Sequence, residues 1–353
     1  MKFVFFTKTP WAEPPRLRHQ VARLLAAHGH DVLFFQKPTL RGGGIEHPEP
    51  HIETRTLRYL LHWQLRANRV MSRANALVEK REIVRAVPPE LGLPIVNFNF
   101  DYEFLRELYP THPIVTIIND DFVTSARPWA RRESLRTLGA TASSSDANFV
   151  VSYPLRDQLL PFTDKVELFF PWARVPYRRP SANGARRDLL YWGYINDRAD
   201  AELVVGLLDA GRRVHFVGPV ADSPRVRTMS EHRNAVMHGP AAITAIADVL
   251  AQCCASIAPY DVSYRYVAAA TVSNRTFDLL AAGLPMIFSD LPALLEAPRG
   301  VLYRCRNVAE FVAAADEAEL TFHDVQPVIE NFLAAHTPEL RYRQLMRHFE
   351  GVV

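Results

Sequence analysis

Only 3 of the 353 residues are cysteine, and lysine supplies 5 of the 41 basic residues. No apolar run approaches the ~18 residues that a membrane-spanning helix requires. Cys253 and Cys254 are adjacent and Cys305 stands alone, a spacing that fits neither a zinc site nor a disulfide framework. Buried, reduced thiols are expected, as in a reducing cytoplasm. The 36 arginines give a net charge of only +3 and form no dense basic block, so nucleic acid is not expected as a partner. Arg41-Gly42-Gly43-Gly44 has no Lys-Ser/Thr after it and is no phosphate-binding loop of the Walker type. The apolar run Phe3–Phe6 meets Lys8 too soon for a secretory signal. The expectation is a soluble, cytoplasmic chain.

With 48% apolar and 22% charged residues, the chain is globular and long enough for two cored domains. Short apolar runs with β propensity, Lys2–Phe6, Val32–Phe35, Ile95–Phe98, Ile114–Ile118, Asn148–Val151 and Val166–Phe169, alternate with helical spacings. Residues 171–187 are rich in proline and arginine and break the pattern; it restarts at Leu189–Gly193. The predicted class is α/β, with two doubly wound Rossmann-like domains. Their expected bounds are 1–172 and 188–337, with a linker at 173–187 and a C-terminal helix at 338–353 that packs back on the first domain.

Open α/β sheets bind ligands beyond the carboxyl ends of their strands. Ser256–Tyr260 reads as a strand followed by a crossover to a helix that opens near Ser273 and stops at Gly283 and Pro285. Ser273 or Asn274 would cap that helix, leaving N–H groups and the positive dipole end for a phosphate. Arg275 could fork onto a diphosphate, and Asp278 lies where it could accept ribose hydroxyls; the plain alternative is an Arg–Asp surface pair. Gly193 and Tyr194 end the first strand of the second half, and Tyr260 ends another.

Residues 273–285 resemble the donor-binding segment of GT-B glycosyltransferases: a Lys or Arg, then an acid, then Ala-Ala-Gly-Leu-Pro. Ala26–Val32 resembles the end of their first helix. Ile257–Tyr260 with Ser273, Arg275 and Gly283–Pro285 is most similar to the bacterial β-glucuronosyltransferase of xanthan assembly and to family-4-like glycosyltransferases. The resemblance implies sugar transfer from a nucleotide sugar, usually UDP- or GDP-linked, with no metal or other cofactor. It places the first domain on the acceptor side and the second on the donor side of a cleft, and it implies a role in bacterial surface polysaccharide or glycoconjugate assembly. Retaining members pair two glutamates eight residues apart. Here these positions are Ala270 and Asp278, and loss of the first carboxylate weakens a retaining assignment.

An inverting transfer needs a base, because an acceptor hydroxyl is a poor nucleophile. Asn119-Asp120-Asp121 follows the strand Ile114–Ile118, and by the resemblance Asp120 falls on the catalytic aspartate; a capping or turn acid is the alternative. Asp121, Arg16 and Arg18 are acceptor-side candidates, and Asp101 is expected as a helix cap. No Pro or Gly interrupts residues 53–86, which predicts one long helix with Arg55, Arg58, His62, Arg66, Arg69 and Arg73 as a basic stripe. Such a stripe could touch anionic headgroups and suit a glycan or lipid-linked acceptor, or be a solvated face. Other readings are a retaining transferase, a sugar-nucleotide epimerase and a catalytically silent nucleotide-binding subunit.

Overall fold

The computed structural model describes residues 1–58, 69–181, 186–264, 267 and 272–350, without the side chains of residues 69–73 and 75. The chain divides into two compact units, Met1–Phe169 with Glu339–Val353, and Phe170–Pro338.

The first unit holds strands β1 (Lys2–Phe6), β2 (Asp31–Thr39), β3 (Ile45–Glu49), β4 (Ile52–Arg58), β5 (Ile95–Asn97), β6 (Ile114–Ile118), β7 (Ala147–Val150) and β8 (Val166–Leu168). They lie in the order β3-β4-β2-β1-β5-β6-β7-β8. Every pairing is parallel except the antiparallel β3–β4, so the sheet is mixed. Phe3 to Phe6 are all buried, as expected of a parallel strand covered on both faces. Phe6 stacks on Phe35 with centroids 5.1 Å apart, in a core shared with Leu57, Ile83, Tyr102 and Tyr109. Burying each such side chain contributes about 1.5–3 kcal/mol.

The helices of this unit are α1 (Leu17–Ala27), α2 (Arg69–Ala86), α3 (Leu105–Leu108), α4 (Arg131–Ser144) and α5 (Tyr153–Leu159). At the start of α1 the buried His19 ring stands in for the usual Glu or Gln of a capping box: its Nδ1 accepts the Arg16 N–H at 3.1 Å. Gly29, with φ +77°, ends the helix.

The single helix expected over 53–86 is corrected. Ile52–Arg58 is a strand paired in register with β2, and the helix starts at Arg69. Buried Ile52 and Thr54 alternate with partly exposed Glu53 and Arg55, a period of two that holds until the register shift opposite β2, beyond which Leu57 is buried. Arg55 pairs with Glu53 at 2.8 Å, and no single helix face unites the proposed stripe. His62 and Arg66 lie outside the described residues, as do the side chains of Arg69 and Arg73.

The second unit is a six-stranded, wholly parallel sheet in the order β11-β10-β9-β12-β13-β14. Its strands are β9 (Asp188–Trp192), β10 (Val214–Val217), β11 (Ala235–Gly239), β12 (Cys253–Ala258), β13 (Met286–Ser289) and β14 (Leu302–Cys305). Its helices are α6 (Ala201–Asp209), α7 (Pro224–Ser230), α8 (Ala247–Gln252), α9 (Asn274–Ala281), α10 (Val308–Leu320) and α11 (Gln326–Ala334). All three cysteines are free and buried here, and burial pushes the Cys254 and Cys305 thiols up to about 12.

Of the segment expected as an exposed linker, Pro176, Arg178 and Arg179 are exposed and residues 182–185 lie outside the described residues; its described part also bonds to this unit. Arg178 N–H donates to the Ala281 carbonyl at 2.8 Å and Tyr177 Oη to Gln326 Oε1 at 3.0 Å. The last helix, α12 (Pro338–Met346), belongs mostly to the first unit, where Tyr342 stacks on His28 at 3.6 Å and Gln344 donates to the Leu168 carbonyl at 2.8 Å.

Candidate active site

In the second unit a pocket opens at the carboxyl ends of β9, β12 and β13. It is lined by Tyr191, Trp192, Ile257–Tyr260, Ser273, Arg275, Thr276, Leu279, Met286 and Phe288. Ser273 caps α9 with extended backbone, and its own N–H donates to Thr276 Oγ1 at 3.3 Å. The Thr276 and Phe277 N–H groups donate to the Ser273 carbonyl at 2.9 and 3.4 Å, and helix geometry leaves those of Asn274 and Arg275 without intrahelical acceptors. The neighbouring Asn274 Nδ2 is buried with no hydrogen-bond partner, which adds a further unsatisfied donor at this end of the helix.

Arg275 reaches back across the end of β9, where Nη1 donates to the Trp192 carbonyl at 3.3 Å. That path exists because residue 193 is glycine: a Cβ there would sit 1.6 Å from Arg275 Nη1. Gly193 also has φ +153°, and a Cβ on Gly218 would come within 1.8 Å of the Gly193 carbonyl oxygen. Two close-packed glycines thus bring backbone, guanidinium and helix start to one place. Tyr260 stacks on Phe288 at 6.4 Å, and Tyr191 Oη donates to the Tyr194 carbonyl at 3.3 Å. Burial holds the Tyr191 hydroxyl above its ordinary pKa, so it remains a neutral donor. Tyr194 itself is 54% exposed and touches this group through its backbone. The arrangement offers a cation, helix N–H groups and aromatic walls, a set suited to a nucleoside diphosphate.

Asp278 is a correction. Its carboxylate is fully buried and taken up by Arg174, whose backbone N–H donates to Oδ1 at 2.7 Å and whose Nε and Nη2 donate to Oδ2 at 2.8 and 2.5 Å. It ties the chain entering the second unit to α9 and is not open to a ribose. Arg174 was not legible in the sequence as its partner, since the two lie 104 positions apart. Tyr191 and Trp192 also escaped notice; their place immediately before Gly193 at a strand end was the available signal.

The first-unit candidates gather at the carboxyl ends of β1, β5 and β6. Asp120 is exposed at the end of β6. Asp121 is a turn acid whose Oδ1 accepts the N–H groups of Val123 and Thr124 at 3.1 and 2.8 Å. Asp101 pairs with Lys8 and caps no helix, because α3 begins at Leu105. Arg16, at the cap of α1, pairs with Glu13 at 3.0 Å and stays exposed. Arg18 is only 6% exposed, which removes it from direct acceptor binding. It donates to Thr9 Oγ1 and, at 3.4 Å, to Asn119 Oδ1. Burial lowers its pKa to about 10. His19 beside it is held neutral: burial lowers its pKa to about 4, and with Nδ1 accepting, Nε2 faces the Pro10 carbonyl at 3.3 Å as donor.

Among the described residues, no group of three or more His, Cys, Asp or Glu could hold a metal ion, and no helix is long and apolar enough to cross a membrane. No protein-family model and no curated protein sequence matches the chain. Solved structures do. A UDP-forming α,α-trehalose-phosphate synthase from Burkholderia xenovorans is similar with a TM-score of 0.65 at 11% identity, covering 99% of both chains. Anabaena HepE, in complex with UDP and glucose, has a TM-score of 0.62 at 10% identity, covering 99% of this chain and 100% of that one. S. aureus TarM, in complex with UDP, fondaparinux and α-GlcNAc-glycerol, has a TM-score of 0.55 at 11% identity; 79% of this chain spans 59% of that one. With both Rossmann-like units matched end to end, the chain has the GT-B fold.

Proposed function

We propose that the chain is a glycosyltransferase that moves a sugar from a nucleoside-diphosphate sugar to a hydroxyl of a glycan or lipid-linked acceptor. The observation that carries this reading is Arg275 lying across Gly193 at the start of α9, beside the buried and unsatisfied Asn274 amide. In this scheme the diphosphate sits on the α9 N–H groups and Arg275, which neutralise charge as the leaving group departs. Tyr260 and Tyr191 flank the base or sugar. Asp120 takes the proton of the acceptor hydroxyl as the new bond forms, giving inversion. HepE and TarM were each solved with UDP, which makes uracil the first base to test. The same scheme suits assembly of surface polysaccharide or glycoconjugate.

Thermal shift with UDP, GDP, dTDP and CMP tests the donor half. A diphosphate should raise the melting temperature by mass action and lose that effect in Arg275→Ala. Stabilisation by none of them, or equal stabilisation in the variant, would remove the reading. For the acceptor half, Asp120→Asn should keep donor binding and lose at least ~100-fold in transfer. Undiminished turnover would exclude Asp120 as base.

A further inference from the structure

The structure assigns Arg18 and Asn119 to a hydrogen-bonded relay that orients the Asp120 carboxylate and favours its ionised form. This inference rests on the reading of Asp120 as the base. Arg18 enters from α1 and is buried behind the strand ends, its carbon Cζ 5.8 Å from the Phe98 ring centre. A guanidinium has donors and no acceptor, so its Nη2 contact at 3.4 Å fixes which end of the Asn119 amide faces it: Oδ1. The Asn119 NH2 group is thereby turned the other way, where it donates to Asp120 Oδ2 at 3.4 Å. The amide cannot flip without setting NH2 against the guanidinium and carbonyl oxygen against the carboxylate. One buried side chain thus determines the direction of the next two.

The relay also has an electrostatic side. Arg18 and Asp120 attract one another, and burial at Arg18 reduces the screening of that attraction. Among the described residues, the charged groups beside Arg18 and at the neighbouring strand ends have partners of their own. Arg16 and Glu13, which act on Arg18 with opposite signs, are joined at 3.0 Å. Lys8 is paired with Asp101 at the ends of β1 and β5, and Asp121 is engaged by two backbone N–H groups. Arg18 has no carboxylate of its own within ion-pair distance among the described residues, and its Nε is buried without a hydrogen bond. Burying a cation in this way is costly, and packing alone would be served as well by an apolar residue. A carboxylate base oriented through Asn119 at the end of β6 accounts for the arginine.

The test is titration of the Asp120 carboxyl by carbon-detected NMR, with the resonance assigned by its absence in Asp120→Asn. Arg18→Gln should raise the protonation midpoint, because it removes an opposite charge that favours the ionised carboxylate. Arg18→Lys keeps the charge and should stay closer to wild type. Asn119→Ala, which leaves Arg18 in place, should raise the midpoint by a smaller step. An unmoved midpoint in Asn119→Ala overturns the relay, even if Arg18→Gln fails to fold. The measurement needs no substrate, so its failure is distinct from failure of the base assignment, which the Asp120→Asn transfer assay decides.

Discussion

Replacing Gly193 by alanine should disable the diphosphate site while leaving the fold in place. The new Cβ would lie 1.6 Å from Arg275 Nη1 and 2.7 Å from its Cζ. The obstructed group is the far end of a flexible side chain, so the guanidinium moves aside and the sheet does not. A non-glycine residue at φ +153° adds local strain of about 1–3 kcal/mol. The functional loss is the charged hydrogen bonding of Arg275 to phosphate, worth about 1.5–3 kcal/mol, or roughly a 10- to 150-fold weaker dissociation constant. Titration calorimetry with UDP reads this directly, and circular dichroism checks the fold. Arg275→Ala should weaken UDP binding to a similar degree, and the double variant should be little worse than Arg275→Ala alone, because both remove one interaction. UDP binding by Gly193→Ala within about threefold of wild type, under ~0.7 kcal/mol, would refute the reasoning.

Asp278→Asn leaves Arg174 facing an amide at a fully buried position and should cost about 2–4 kcal/mol in urea unfolding, with UDP affinity nearly unchanged. A ribose clamp would give the reverse pattern. For His19, burial lowers the folded-state pKa to about 4, against an ordinary 6.5 in the unfolded chain. The unfolded chain therefore takes up the proton first, and the stability due to neutral His19 is full above pH 6.5 and lost as pH falls towards 4. His19→Gln retains an acceptor for the Arg16 N–H, so its unfolding free energy should fall less steeply than wild type between pH 6.5 and 4. Equal slopes would show that His19 does not titrate in that window.

Local pattern was enough to read β1, β9 and the start of α9, because continuous apolar runs and a Ser-Asn step are decided within a few residues. The same short range explains the failures. In residues 52–58 the alternation of Ile52, Thr54 and Thr56 competed with arginines spaced at three and four, and pairing with β2 settled it for a strand. The order β3-β4-β2 depends on which edge is free, a property of the whole sheet. Asp278 sits on the helix where the motif placed it, but its availability depends on Arg174, which no local spacing announces. Likewise Arg18 read as an acceptor-side residue, since its burial behind Thr9 and Asn119 is set by where strand ends converge.

The most direct test of the account is a crystal structure of the second unit's site with UDP bound in the full chain. The account predicts the diphosphate at the start of α9, within about 3 Å of the Asn274 and Arg275 N–H groups and of the Arg275 guanidinium. A diphosphate bound elsewhere on the chain, with Arg275 still resting on the Trp192 carbonyl, would contradict it.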